Sequence, residues 1–232
     1  AVDLFTQPEQ PHHEAVANDS QTEAGRMRTD ILTPEQKSDL ELLGAMPEVK
    51  RCYLAGGTAL ALLIGHRYSE DLDFFTEQTF DSERLLKKLL ALPNCQKQSV
   101  SKGTVYIVLN SVRCSFIYYQ YPLIDQTILS PWQIAFASVI DIGAMKVNAI
   151  GGRGKRRDFV DLYVMAQSRP LPLIWEDFKK RYANTGLSME HVKASLSYFG
   201  DAEVEPMPHM LKSVSWKKMR EFFEKESKSL VP

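Results

Sequence analysis

The chain has 232 residues, 44% of them hydrophobic, and a formal net charge of −1. That size buries a substantial core in one large domain or two small ones, and so small a net charge excludes a molecule that attracts nucleic acid through its overall field, leaving only a local basic patch for that purpose. Cys52, Cys95 and Cys114 lack Cys-x-x-Cys spacing, which argues against a disulfide framework or a zinc knuckle and agrees with a reducing cytoplasm; no apolar run approaches the ~20 residues that span a bilayer.

Residues 1–30 show little apolar periodicity. Asp3, Glu9, Glu14, Asp19 and Glu23 meet only Arg26 as a basic partner before position 27, with Pro8, Pro11, His12 and His13 among them. This composition predicts a weakly ordered arm, and a histidine pair alone in a polar arm reads as solvated rather than as a metal site. Thr33-Pro34-Glu35-Gln36 is a helix start, with threonine at the cap, proline at the first helical position and glutamine three residues after the cap. The helix continues through Leu40, Leu42 and Leu43, and Val49–Leu54 reads as a short strand.

Gly56 and Gly57 follow, then an apolar helix from Thr58 to Leu63. Glycine carries no Cβ, so the backbone can bend sharply there and approach a ligand closely. A helix opening on such a turn points unsatisfied N–H groups and a partial positive charge at whatever lies above it. His66-Arg67-Tyr68-Ser69 is a polar turn, and Asp71 and Asp73 then stand two apart in an apolar run. On a strand that spacing places both carboxylates on one face, with Leu72 and Phe74 on the other. Two carboxylates on one face repel unless a cation joins them, and hard divalent ions prefer oxygen ligands.

The pairing of Gly-Gly-Thr with Asp-Leu-Asp about a dozen residues later resembles the signature of the DNA polymerase β-type nucleotidyltransferases. The fuller wording, LAGGTALAL followed by GHRYSEDLDFF, resembles the AbiEii/AbiGii toxin family within that superfamily. The resemblance implies a nucleoside triphosphate over Gly56, Gly57 and Thr58, a Mg²⁺ (or Mn²⁺) ion on Asp71 and Asp73, and phosphate contacts by Arg67 or Ser69 that compete with the plainer reading of a solvated turn. Many superfamily members carry a third carboxylate on a later strand of the sheet.

Farther along, Asp81 or Ser82 caps a helix through Leu85, Leu86, Leu89 and Leu90, ended by Pro93-Asn94. Gln96–Ser101, Thr104–Leu109 and Val112–Tyr119 are strand-like runs separated by Lys102-Gly103 and Asn110-Ser111, which predicts an antiparallel meander. The last run, Arg113-Cys114-Ser115-Phe116-Ile117-Tyr118, holds no carboxylate, so two aspartates suffice, or one arrives from the C-terminal half, or catalysis is weak. Pro131–Ile150 reads as a helix ended or interrupted at Gly151-Gly152. Arg153, Lys155, Arg156 and Arg157 form a basic run loosened by Gly154, suited either to solvent or to phosphates. Asp158 and Asp161 lie three apart on the next helix and share a face; Asp158 also stands where a first-turn acid favours the helix dipole.

AMKVNAIGGRGKRRDFVDLY resembles downstream motifs of the same toxin family. That resemblance implies that Lys146 contacts triphosphate oxygens and that Asp158 serves the metal or the acceptor hydroxyl. Asp161 is expected to hold the local structure by pairing with an arginine. Beyond Pro170, residues 175–182, 188–198 and 215–223 are candidate helices without a catalytic pattern.

The expectation is therefore an α/β fold of the α+β kind: a polymerase β-like mixed sheet flanked by helices, with a helical C-terminal portion. Residues 1–30 form the arm, 31–128 the nucleotidyltransferase domain, and 129–232 the helical portion that completes the site. The implied reaction moves a nucleoside monophosphate from an NTP to an acceptor hydroxyl, with RNA, especially the tRNA 3′ end, as the leading acceptor. A bacterial toxin with a cognate antitoxin or a phage-defence role, in the cytoplasm and without a membrane, completes the reading. The alternative is a nucleotide- or partner-binding module of the same fold with weak or lost chemistry.

Overall fold

A computed structural model describes residues 27–231; the expected N-terminal arm and its His12-His13 pair lie outside these residues, apart from its last four positions. Among the described residues one sheet of seven strands carries the order β3-β4-β5-β2-β1-β7-β6. The strands are β1 (Tyr53–Ala55), β2 (Leu72–Thr76), β3 (Cys95–Ser101), β4 (Thr104–Leu109), β5 (Val112–Tyr118), β6 (Ile128–Leu129) and β7 (Ala135–Phe136). β1 runs antiparallel to β2, β2 parallel to β5, and β1 parallel to β7. The sheet is thus mixed, and β3, β4 and β5 form the expected antiparallel meander. Phe74 and Phe116 stack at 4.9 Å beneath it, both fully buried.

Helix α1 (Pro34–Gly44) begins with a complete capping box: the Thr33 hydroxyl accepts from Gln36 N, and Gln36 Oε1 accepts from Thr33 N. Gln36 does a second job, because its Nε2 donates to the carbonyls of Ser69 and Glu70 and so pins the turn ahead of β2. Helix α2 (Gly56–Ile64) starts at the first glycine rather than at Thr58. Gly56 takes a φ of +75°, a conformation that costs a residue with a Cβ but not glycine. Before it, Val49–Arg51 is a 3₁₀ turn instead of the start of a strand, and only Tyr53–Ala55 pairs in the sheet. Helix α3 (Ser82–Leu89), capped by Asp81, packs on β3 and β4.

The helix expected over 131–150 is shorter at its start and longer at its end. Trp132 and Gln133 form a turn, Gln133 with a φ of +60°, and Ala135–Phe136 joins β1 as a strand. Helix α4 (Val139–Arg153) then begins at its Ser138 cap and runs through both glycines to Gly154. Gly151 is no helix break: a Cβ there would stand 3.0 Å from Val192, so its smallness lets α7 (Met189–Ser195) lie against α4. Helices α5 (Arg156–Ala166), α6 (Leu171–Arg181), α8 (Gly200–Glu203) and α9 (Trp216–Glu226) complete the helical portion. The division drawn at residue 128 falls at β6, and β7 beyond it still belongs to the sheet.

Two ties join the halves. Arg181 is fully buried, paired with Asp141, and donates to the Tyr53 hydroxyl at 3.1 Å. Near the C-terminal end, Tyr68 N donates to His209 O and Leu211 N donates to His66 O, bridging Arg67 to Met210 while the rings of Tyr68 and His209 stack.

Candidate active site

A cleft of about 760 Å³ opens over β2, β5, β4 and β3, with α4 forming its far wall. Asp73 on β2 and Asp71, the residue just before the strand, both line it, as their two-residue spacing along an extended chain predicts. Asp73 Oδ1 accepts from Ser115 Oγ at 2.7 Å, and Asp71 Oδ1 accepts from Arg113 Nε at 2.8 Å. Both partners sit on β5, where the pairing of Asp73 with Ser115 brings them alongside. Among the described residues, Oδ2 of each aspartate has no hydrogen-bond partner in the protein.

Gly56 and Gly57 line the cleft next to these carboxylates. A Cβ on Gly56 would lie 3.0 Å from Asp73 Oδ2, and one on Gly57 would lie 2.8 Å from Ser69 Oγ and closer still to Arg67 Nη2. Both glycines are thus forced by close approach: one to the aspartate, the other to the turn that follows α2. The start of α2 directs its positive end into this space.

Next to the Gly57 turn lies a buried ionic cluster. Asp161 accepts from Arg67 Nε and Nη2 at 2.6 and 2.8 Å, lies 2.8 Å from His66 Nε2, and is 2.6 Å from Lys146 Nζ. Asp158 is 2.9 Å from Lys146 Nζ and 2.9 Å from Arg153 Nε. Both carboxylates are fully buried. Three cations, Arg67, Lys146 and Arg153, face two carboxylates, so basic groups outnumber acidic ones in the cluster. Burial alone would raise the Asp161 carboxyl, but Lys146 and Arg67 overcome it and hold the group well below its ordinary value. Asp158 is lowered in the same way, against burial, by Lys146 and Arg153. Burial would depress the Lys146 ammonium, yet Asp161 and Asp158 keep it above its usual value, so it stays charged.

The sequence-predicted residues divide cleanly by position. Gly56, Gly57, Arg67, Ser69, Asp71, Asp73, Lys146, Arg153 and Arg157 come together around the cleft. Thr58 does not line it; its hydroxyl donates to the Asp71 carbonyl. Asp158 is sealed beneath Lys146 and Arg153 and presents no open oxygen as a base. Arg156 turns away to the carbonyls of Ala202 and Glu203 and lies 4.7 Å from the Trp216 ring, and Lys155 faces Glu205. Arg113, Ser115, Tyr106, Tyr119 and Asn148 also line the cleft, and local sequence does not flag them. Asn148 reaches it from α4; the others depend on how β5 and β4 register against β2, a non-local pairing that only the alternation of Val112–Tyr118 hints at.

Can these residues take a divalent ion? Among the described residues no group of three or more His, Cys, Asp and Glu side chains converges. Two carboxylates with one open oxygen each still suit Mg²⁺, which keeps several waters and takes one or two carboxylates together with substrate phosphates. The donor set fits an ion delivered with a triphosphate and not a closed protein cage.

A glycine-led helix start beside paired strand aspartates, with a buried lysine in the same cleft, defines a nucleotidyltransferase. The chain belongs to the family described as "Nucleotidyl transferase AbiEii toxin, Type IV TA system", whose sequence model matches residues 41–113 and 105–229. An uncharacterized protein of Aquifex aeolicus (strain VF5) is 34% identical over 205 residues, covering 86% of this chain and 98% of that protein. Among solved structures, MenT4, the nucleotidyltransferase toxin Rv2826c from Mycobacterium tuberculosis H37Rv, has a similar fold, with a TM-score of 0.54 and 18% identity over 84% of this chain and 83% of that one. Among the described residues no helix is long and apolar enough to cross a membrane.

Proposed function

We propose that this nucleotidyltransferase moves a nucleoside monophosphate from an NTP to a hydroxyl of RNA, with the tRNA 3′ end as the leading acceptor, and that it does so as a toxin restrained by a cognate antitoxin. The observation that carries this reading is the pair of open Asp71 and Asp73 oxygens in one cleft with the Gly56-Gly57 turn and the adjoining Lys146 cluster. The triphosphate lies over the glycines, where α2's N–H groups, Lys146, Arg153 and Arg157 neutralise its charge. Asp71 and Asp73 would hold Mg²⁺ (or Mn²⁺), which would draw charge from the phosphates and orient the α-phosphorus.

The acceptor oxygen attacks the α-phosphorus in line. The new O–P bond forms as the bond to the β-phosphate's bridging oxygen breaks, pyrophosphate leaves toward the cations, and the hydroxyl proton passes to water in the open cleft. Lys146 and Arg153 bear on the charge that grows on the leaving group. On β5, where many superfamily members have a third carboxylate, this chain has none and Ser115 donates to Asp73 instead, so the load on Asp71 and Asp73 is greater.

The test is transfer of label from each of four α-labelled NTPs to total bacterial RNA with Mg²⁺, for the parent and Asp73→Ala. Incorporation by the parent that falls more than about a hundredfold in the variant, the loss expected for a group closer to the metal than an outer-shell partner, supports the reading. Silence with RNA but label on proteins or small molecules would replace the acceptor. Nucleotide binding without transfer to any acceptor would favour a binding module.

A further inference from the structure

The sheet carries a row of residues that leads away from the catalytic carboxylates. Asp73 on β2 pairs with Ser115 on β5, Ser115 pairs with Tyr106 on β4, and Tyr106 pairs with Ser99 on β3. Directly paired residues share a face, so Tyr106 stands on the cleft side, two strand spacings or about 10 Å from Asp73. It lines the cleft and is 40% exposed, while its neighbours Val105 and Ile107 are fully buried on the other face. An aromatic ring left open inside a catalytic cleft gains no packing there and is suited to a planar ligand.

The strand beyond it is built to match. A bulge in β3 falls between Lys97 and Ser99, and Gln98 and Ser99 both line the cleft although they are consecutive. A bulge is the device that re-aims a side chain in this way. The ring of Tyr106 is therefore flanked by an amide and a hydroxyl, donors and acceptors of the kind that meet a base edge. Between this ring and the carboxylates, Arg113 is 57% exposed and, among the described residues, engages only through Nε.

Chemistry assigns the occupant. The phosphate cradle at α2 and the Lys146 cluster lie on the β1 side of Asp71 and Asp73; Tyr106 lies on the β5–β4 side. In-line displacement requires the leaving pyrophosphate and the attacking hydroxyl on opposite sides of the phosphorus. With pyrophosphate on the β1 side, the acceptor comes across β5 and β4. We infer that Tyr106, with Gln98 and Ser99, forms the subsite for the terminal nucleobase of a single-stranded RNA acceptor, stacked on the tyrosine ring, while Arg113 meets its backbone phosphate. This inference rests on the RNA-transferase reading and names the surface that selects the acceptor. A base–aromatic stack with an arginine beside it is the recurring way single strands are held.

The experiment uses a short single-stranded RNA ending in 2-aminopurine ribonucleotide, with the parent, Tyr106→Ala and Tyr106→Phe, all checked for unchanged thermal melting. Tyr106→Ala raises KM for the RNA about tenfold, within the usual range for losing one base stack, and leaves KM for the NTP unchanged. Tyr106→Phe restores parent values, because the ring and not the hydroxyl makes the stack. The parent and Tyr106→Phe quench 2-aminopurine fluorescence, and Tyr106→Ala does not. A rise in KM for the NTP instead would assign the ring to the incoming base and overturn the inference, as would no change in either constant. If the parent transfers nothing to RNA, the functional reading fails by itself; quenching that depends on Tyr106 then still supports the subsite, and its absence removes both.

Discussion

Two pairs of aspartates, one lining the cleft and one buried behind its wall, live in opposite circumstances. Asp73 sits on β2 and Asp71 just ahead of it, each with one oxygen held by a β5 side chain and one left open. Asp158 and Asp161 sit on a helix, fully buried and held by Arg67, Lys146, Arg153 and His66. Residue type is the same and the spacing is nearly so, yet the strand pair can accept a new ligand and the helix pair cannot. The helix pair's chemistry is indirect: it holds Lys146 and Arg67 in place, charged, at the edge of the cleft. What separates a ligand from a scaffold here is saturation, not identity.

The comparison breaks first at Asp161. Asp161→Ala would leave Arg67 and Lys146 buried beside a lost partner, the situation that costs about 3–5 kcal/mol. The expected outcome is a drop of roughly 10 °C in melting temperature, measured by calorimetry; a variant that melts with the parent would show that the cluster is not structural. Asp73→Asn is the opposite case. It should abolish most transfer yet melt within about 0.5 kcal/mol of the parent, as for other substitutions without a structural partner to strand. A large destabilisation there would erase the distinction between the pairs.

Gly57→Ala is expected to fall between them. Its Cβ would collide with Arg67 and Ser69, forcing shifts that cost about 1–3 kcal/mol and lowering activity through a displaced turn. Retained activity with parent stability would mean that the turn is softer than its contacts imply.

The smallest effect is with pH. The Asp161 and Asp158 carboxyls are held below their ordinary values. Their contribution is present above the unfolded carboxylate range near about pH 4 and is lost only as pH falls through the lower folded values. Lys146 is raised, so its share is complete below the ordinary ammonium range and lost as pH rises through its folded value. The stability gap between the parent and Asp161→Asn should stay wide from pH 7 down to about pH 4 and narrow below it, followed by denaturant unfolding at each pH.

Much of this was legible along the chain, where the physics is local. Thr33 and Gln36 make the capping box that their spacing announces, and Asp71 and Asp73 share a face because strands have a period of two. The partner arginine of Asp161 is Arg67, 94 residues away, and no local pattern identifies it. Asp158 reads equally well as a ligand or a capping acid until the burial of its neighbours is known. The same limit explains the glycines: Gly151 and Gly154 look alike in sequence, yet one serves packing against Val192 and the other ends α4 at a φ of +52°. The residue facing Asp73, Ser115, follows from a parallel pairing across a long crossover, which composition does not encode.

The short tie between His66–Tyr68 and His209–Leu211 gives the molecule a timetable. A ribosome delivers the glycine turn and the Asp71–Asp73 pair first, Lys146 and Asp161 much later, and the segment that clamps the Arg67 turn later still. A chain still being made has the metal-type carboxylates without the cations that would receive a triphosphate, or the clamp that steadies them. The cleft of this nucleotidyltransferase is therefore complete only after the His209–Leu211 segment has joined the Arg67 turn.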